Sequence, residues 1–93
     1  MISCEAGRCA VQGPVLMGNV TALLADSARL FDGEHVVVDL GGVTEVDSAA
    51  VSLLLEWRRG AQAAKRRIEF VNVPANLKSL ADLYGVSELL GAS

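Results

Sequence analysis

A chain of 93 residues suits one small domain, which buries roughly 60 to 70% of its unfolded surface and leaves little room for a deep private active site. Hydrophobic residues make up 52% and aromatics only 4%, so the core must be built from Val, Leu and Ala, a composition better suited to an interaction module than to an aromatic-lined pocket. The formal net charge of −3 speaks against a nucleic-acid binder, which would carry a net basic face, and no stretch approaches the ~18 unbroken apolar residues of a membrane span.

The first residues lack a signal-peptide core, so a soluble, cytoplasmic protein is expected. Ile2 and Cys4 alternate with polar neighbours, Ala6-Gly7 supplies a two-residue turn, and Cys9 and Val11 resume the alternation, which predicts a hairpin. That register sets Cys4 opposite Cys9. A cross-strand disulfide is geometrically conceivable, yet in a reducing cytosol both cysteines are expected to act as small apolar residues. Two cysteines and one histidine are too few for a convincing zinc site. Gly13-Pro14 is expected to end the second strand, because proline cannot donate to a ladder.

From Asn19 to Phe31, the residues Val20, Leu23, Leu24, Leu30 and Phe31 fall on one helical face, and Asp32-Gly33 then stops the helix. Val36, Val37, Val38 and Leu40 read as a central strand buried on both faces, followed by a turn at Gly41-Gly42. His35, at its mouth, is expected as an ordinary exposed loop residue. A second helix should start at Asp47 or Ser48, either of which can accept from the free N–H groups of its first turn. Ala50, Leu53, Leu54, Trp57, Ala61 and Ala64 form its inward face, and Arg58, Arg59, Lys65, Arg66 and Arg67 gather where they would complement the negative end of the helix dipole. That basic cluster reads as a solvated helix end or as a site for an acidic partner patch. Ile68 to Val73 forms a further strand, and Pro74 ends it. Asn76 can cap a third helix with Leu77, Leu80, Ala81 and Tyr84 inward and Gly85 as terminator, and Ser87 can start a last turn that tucks in Leu89 and Leu90. The expected order is β-β-α-β-α-β-α-α, one mixed-sheet α/β domain.

Asp47 and Ser48 stand where a strand hands over to a helix, the edge at which open α/β sheets bind their ligands. Gly41-Gly42 has neither the spacing nor the following lysine of a phosphate loop. Ser48 lacks a nucleophile-elbow signature, and His35 is the one imidazole available as a base. The pair therefore reads as a helix cap, as a partner or phosphorylation site, or as an activated hydroxyl, and an enzyme is not expected.

The apolar strand, then Val46-Asp47-Ser48-Ala49-Ala50-Val51 and a leucine-rich helix, resembles the STAS domains of anti-sigma-factor antagonists and transporter-associated proteins. The likeness runs from the hairpin to Leu90. It implies a single STAS-like α/β domain over residues 1–93, with a mixed, largely parallel sheet packed against amphipathic helices. In the antagonist branch the hydroxyl residue after the aspartate, here Ser48, is phosphorylated by a partner serine kinase, which switches off anti-sigma-factor binding. Ala50 stands where that branch usually has glycine.

Leu55-Glu56-Trp57-Arg58-Arg59 and Leu80-Ala81-Asp82-Leu83-Tyr84-Gly85-Val86 are similar to the MlaB-like branch, the small cytoplasmic STAS subunits of the Mla phospholipid transporters of Gram-negative bacteria. This narrower resemblance implies a non-catalytic subunit, peripheral to the inner membrane, that binds the ABC transporter ATPase and through it the permease. Its implied service is the assembly and activity of a transporter that maintains outer-membrane lipid asymmetry. A threonine follows the motif aspartate in that branch and lies at the ATPase contact, so the resemblance gives that place to Ser48. The implied partner-binding residues are Asp47, Ser48, Ala49 and Ser52, a small-residue helix start on which a partner helix can approach closely while Ser48 makes a hydrogen bond. No cofactor, metal, nucleic acid or direct membrane insertion is implied. The alternative is an anti-sigma-factor antagonist with Ser48 as phosphoacceptor.

Overall fold

A computed structural model of the chain, describing residues 1–31 and 33–86, holds a hairpin of β1 (Ile2–Glu5) and β2 (Arg8–Val15) followed by two strand-crossover units. These continue through α1 (Val20–Leu30), β3 (His35–Val46), α2 (Ser48–Ala63), β4 (Arg67–Val71) and α3 (Ala75–Leu83). The four strands among the described residues lie in the order β1-β2-β3-β4, antiparallel within the hairpin and parallel from β2 to β3 and from β3 to β4. Ala6 and Gly7 turn with φ of 52° and 81°, the two positive values of a type I′ hairpin, and this turn sets Cys4 against Cys9 as expected.

The two cysteines do not remain separate. They are joined in a disulfide across the hairpin, with Cα atoms 4.0 Å apart. The contrary expectation rested on compartment alone, whereas the register brings the side chains face to face.

The three helices among the described residues share one core cluster with one face of the sheet. Cys9, Val11, Val36, Val38, Leu40, Ile68 and Phe70 point into the core there, against Leu23, Leu53, Leu54, Trp57, Leu77 and Ala81. On the other face Val37 is half-buried between exposed Arg8 and Glu69, and Asp39 is half-buried between Ala10 and Val71. The central strand is thus covered on one side only, which corrects the two-sided burial expected from its valine run. Valine marks strand propensity on either face, and only the charged neighbours across the ladder reveal which side stays wet.

β3 is also longer than its apolar run. Gly41 and Gly42 lie inside it, with Gln12 against Gly42 and Gly13 against Val43, and the ladder slips by one residue twice on the way to Val15 against Val46. β2 runs on through Gly13-Pro14, and Pro14 falls at the second slip, where its missing N–H breaks no ladder bond. The expected turn and strand end are therefore both bulges. A Cβ on Gly42 would stand 3.0 Å from Gln12 Cγ and 3.1 Å from the Val11 carbonyl oxygen. Gly42→Ala is accordingly expected to destabilise the domain by about 1–3 kcal/mol, read as a lower urea midpoint with an unchanged slope.

Smaller departures have local causes. α2 stops at Ala63 with Ala64 as its C-cap, so Lys65, Arg66 and Arg67 lie beyond its last turn rather than in it. Their cluster disperses. Arg59 pairs with Glu56 at 2.8 Å, Arg58 lies over the Phe70 ring, and Arg66 donates to the Gly33 carbonyl. His35 opens β3 itself, with Nε2 2.8 Å from Glu69 Oε2, where a loop residue was expected. β4 ends at Val71 rather than Val73, because Asn72 turns the chain with a φ of 55°. Pro74, not Asn76, occupies the N-cap of α3, and Asn76 inside the helix reaches toward the Thr44 carbonyl. Tyr84 caps α3 and is 54% exposed, so the inward position expected for it is not realised, while Gly85 terminates the helix with a φ of 71°. Ala64, also expected inward, follows the end of α2 and is exposed. Asp32 and the last turn expected from Ser87 to Leu90 lie outside the described residues.

Candidate functional site

Asp47 leaves β3 in an extended conformation, φ −132° and ψ −169°, and is the N-cap of α2. One carboxylate oxygen, Oδ1, accepts from the Ala49 amide at 2.8 Å, satisfying one of the free N–H groups of the first turn. The other, Oδ2, accepts from the Met17 amide at 2.9 Å. Asp47 therefore fixes two segments at once, the start of α2 and the loop between β2 and α1. Asn19 closes the same loop, accepting from the Leu16 amide and donating to the Pro14 carbonyl, each at 2.8 Å.

Ser48, the first residue of α2, is exposed, and Ser52, one turn along, is exposed beside it. Ala49 is half-buried, and Ala50 and Val51 beneath are part of the core. Of the four residues expected to bind a partner, Ser48 and Ser52 present side chains to solvent, Ala49 supplies a small shoulder, and Asp47 acts from below by shaping the surface. Met17 joins them. It is 72% exposed and its amide is tied to Asp47, which brings this loop residue beside the helix start. Sequence reasoning passed over Met17 because a lone methionine in a loop has no periodicity. The signal that could have found it is the acceptor left on an Asx cap once the helix has used one oxygen.

The arrangement presents an exposed hydroxyl at a small-residue helix start, with an exposed methionine in the loop tied to its cap. Both Asp47 oxygens already accept backbone N–H groups, and His35 lies at the far end of β3, paired with Glu69. Ser48 is thus placed for contact or for modification, with no base adjacent to it among these groups.

A second polar cluster sits on the open face of the sheet. Asp39 Oδ1 accepts from the Gly41 amide at 2.8 Å and from Asn72 Nδ2 at 3.2 Å, and Oδ2 pairs with Arg8 at 3.1 Å. The Gly41 amide first and Asn72 second hold this carboxyl below its ordinary pKa of 3.8, with partial burial opposing them and Arg8 adding to the lowering. A depressed folded-state pKa means that the contribution to stability is complete above 3.8 and is lost as the pH falls through the lower folded value. Asp39→Asn is expected to flatten this acid limb, and thermal melts below pH 4 against melts at pH 7 will show it, the variant losing less on acidification than the wild type.

Comparisons with known proteins agree on the fold. A family model described as "Mlab, STAS domain" matches residues 2–91. The structure is similar to that of the anti-sigma factor antagonist SpoIIAA in its unphosphorylated form, with a TM-score of 0.75 at 13% identity over 100% of this chain and 86% of that one. It is similar to the STAS domain of a SulP transporter from Vibrio cholerae, with a TM-score of 0.64 at 12% identity over 96% of this chain and 72% of that one. Mglu matches at 28% identity and a TM-score of 0.65 over 83% of this chain, which spans 20% of the Mglu chain. No curated protein sequence matches the chain. No described helix is long and apolar enough to cross a membrane.

Proposed function

Because the chain belongs to the STAS-domain family, we propose that it is a non-catalytic binding module whose partner face is the start of α2, and that its partner is the ABC ATPase of an Mla-type phospholipid transporter. In this reading the protein sits at the cytoplasmic side of the inner membrane through the ATPase and its permease, and supports their assembly in a system that maintains outer-membrane lipid asymmetry. The observation that carries the binding role is the exposed Ser48 hydroxyl on a small-residue helix start, held in place by Asp47 and flanked by Met17. The family model's own description, matched over residues 2–91, supports the choice of the Mla branch. Contact at this face would favour one arrangement of the ATPase by binding it more tightly than the other.

The test is affinity purification of the tagged protein from its native membranes, with mass spectrometry of what co-elutes. Recovery of an ABC ATPase with its permease bears the proposal out. A serine kinase or an anti-sigma factor in their place would overturn the transporter assignment and favour a second reading, in which phosphate on Ser48 blocks the same face. That reading draws on the likeness to SpoIIAA, an anti-sigma factor antagonist solved in an unphosphorylated form. A phosphoserine at the first helical position gains from the helix N-terminus and is opposed by the Asp47 carboxylate one residue before it. Intact-mass analysis of protein from the native host tests it directly, since a phosphorylated fraction is required.

A further inference from the structure

We infer that Cys4 and Cys9 form a reversible thiol–disulfide couple that exchanges with thiol reductants of the glutathione class through the Cys4 sulfur. The two residues are unequal. Cys9 is 1% exposed and belongs to the core, while Cys4 is half-buried. Both line a surface cleft of about 260 Å³ bounded by Glu5, Arg29 and Leu30. Cys4 is the more exposed residue of the two, which makes its sulfur the expected point of attack for a solvent thiolate, since access is one of the factors that decide which sulfur of a disulfide is attacked.

The exchange balances in two steps. A reductant thiolate attacks Cys4 Sγ, the bond between the two Sγ atoms breaks, and Cys9 leaves as a thiolate that takes a proton from water. A second reductant thiolate then attacks the reductant's own sulfur in the mixed disulfide and releases Cys4, which is protonated in turn. Two reductant thiols end as one disulfide, and the two electrons they give up reduce the protein.

The fold permits both states. The cross-link spans a sequence separation of only 5, so it removes little freedom from the unfolded chain compared with a bridge across a long loop. The hairpin has other supports, namely the Ala6-Gly7 turn and, at its open end, the Met1 amino group donating to the Gln12 carbonyl at 3.0 Å and the Gln12 amide donating to the Met1 carbonyl at 2.9 Å. What reduction removes is one tie between β1, a four-residue edge strand, and β2, its ladder partner among the described strands, while the ladder itself remains. The couple also stands apart from the face proposed for the partner. Cys9 is paired with Val38 early in β3, whereas Ser48 follows the far end, where Val46 is paired with Val15.

The experiment equilibrates the whole chain in glutathione buffers from fully oxidised to fully reduced, quenches with acid, tags free thiols with an alkylating reagent and reads intact mass. The expected result is a reversible passage from zero to two tags with an unchanged far-UV circular dichroism spectrum. The single-thiol variants test the asymmetry. Cys4 in Cys9→Ser is expected to react with the tag at least ~10-fold faster than Cys9 in Cys4→Ser, because a buried thiol is largely inert. Thiols that never pair under oxidised glutathione, a disulfide that resists excess dithiol until denaturant is added, a spectrum lost on reduction, or equal tagging rates would each overturn the inference.

Discussion

Ser48→Arg is expected to leave the domain folded and to weaken capture of the partner by roughly 30- to 1,000-fold, the equivalent of about 2–4 kcal/mol at the centre of an interface. The residue is exposed and the cap is supplied by Asp47, so nothing in the core depends on the serine. The folding cost is limited to a positive charge at the positive end of α2, about 0.3–1 kcal/mol. Binding is different, because at the proposed interface a long cation on a small-residue surface would hold a partner helix away and strand a charge in the contact. Titration calorimetry against the purified ATPase, with thermal melts run in parallel, separates the two effects. An arginine variant that stays folded and binds like wild type would remove Ser48 from the interface. Ser48→Ala, which deletes only the hydroxyl, is expected to cost about 0.5–1.5 kcal/mol of binding. Asp47→Ala, unlike Ser48→Arg, is expected to act on folding as well as on capture of the partner, because Asp47 shapes the surface that Ser48 and Met17 present. It removes the α2 cap and the acceptor of the Met17 amide together, and is expected to cost about 1–2 kcal/mol of folding.

Trp57→Ala is expected to be the most damaging single change to stability, about 3–5 kcal/mol out of a total of order 5–15 kcal/mol. Trp57 is 5% exposed, and its ring lies 5.1 Å from that of Phe31 and 6.5 Å from that of Phe70. In a chain with 4% aromatics this one cluster joins α2 to β4 and to the end of α1. The indole also holds a buried polar contact. Nε1 donates to Ser27 Oγ at 2.7 Å, and that hydroxyl donates onward to the Leu24 carbonyl at 2.7 Å. Ser27 is 3% exposed, so the indole and hydroxyl satisfy each other away from water. Trp57→Phe keeps much of the ring packing and breaks this bond, for an expected loss of about 1–3 kcal/mol. Urea unfolding followed by circular dichroism, which does not depend on the tryptophan signal, ranks the three proteins. Equal midpoints for wild type and Trp57→Ala would show that the aromatic cluster does not hold the helices to the sheet.

Most of the elements could be read directly from the chain. The hairpin was legible because Ala6-Gly7 is flanked by alternating residues, and α2 because Ala50, Leu53, Leu54, Trp57 and Ala61 keep a helical period. The place of the site was legible for a similar reason, since Asp47 and Ser48 stand between a strand signal and a helix signal. Gly41-Gly42 and Gly13-Pro14 misled because their turn chemistry is real but is spent on bulges within a ladder. Asn76 misled because Pro74 begins the turn of α3 before it.

By itself, then, the sequence determined what depends on neighbours a few residues apart: the hairpin turn, the helical faces, a helix start at Asp47 or Ser48 and the family-like order of strands and helices, while the structure chose Asp47 as the cap. Only the tertiary structure decided what depends on residues about thirty apart meeting in space. It chose the wet face of the sheet by setting Val37 between Arg8 and Glu69, and it brought Met17 to the start of α2 through the second oxygen of Asp47. It also seated Trp57 on Ser27. Periodicity carries the first kind of information because it repeats along the chain, whereas a single contact between distant residues leaves no repeat from which to read it.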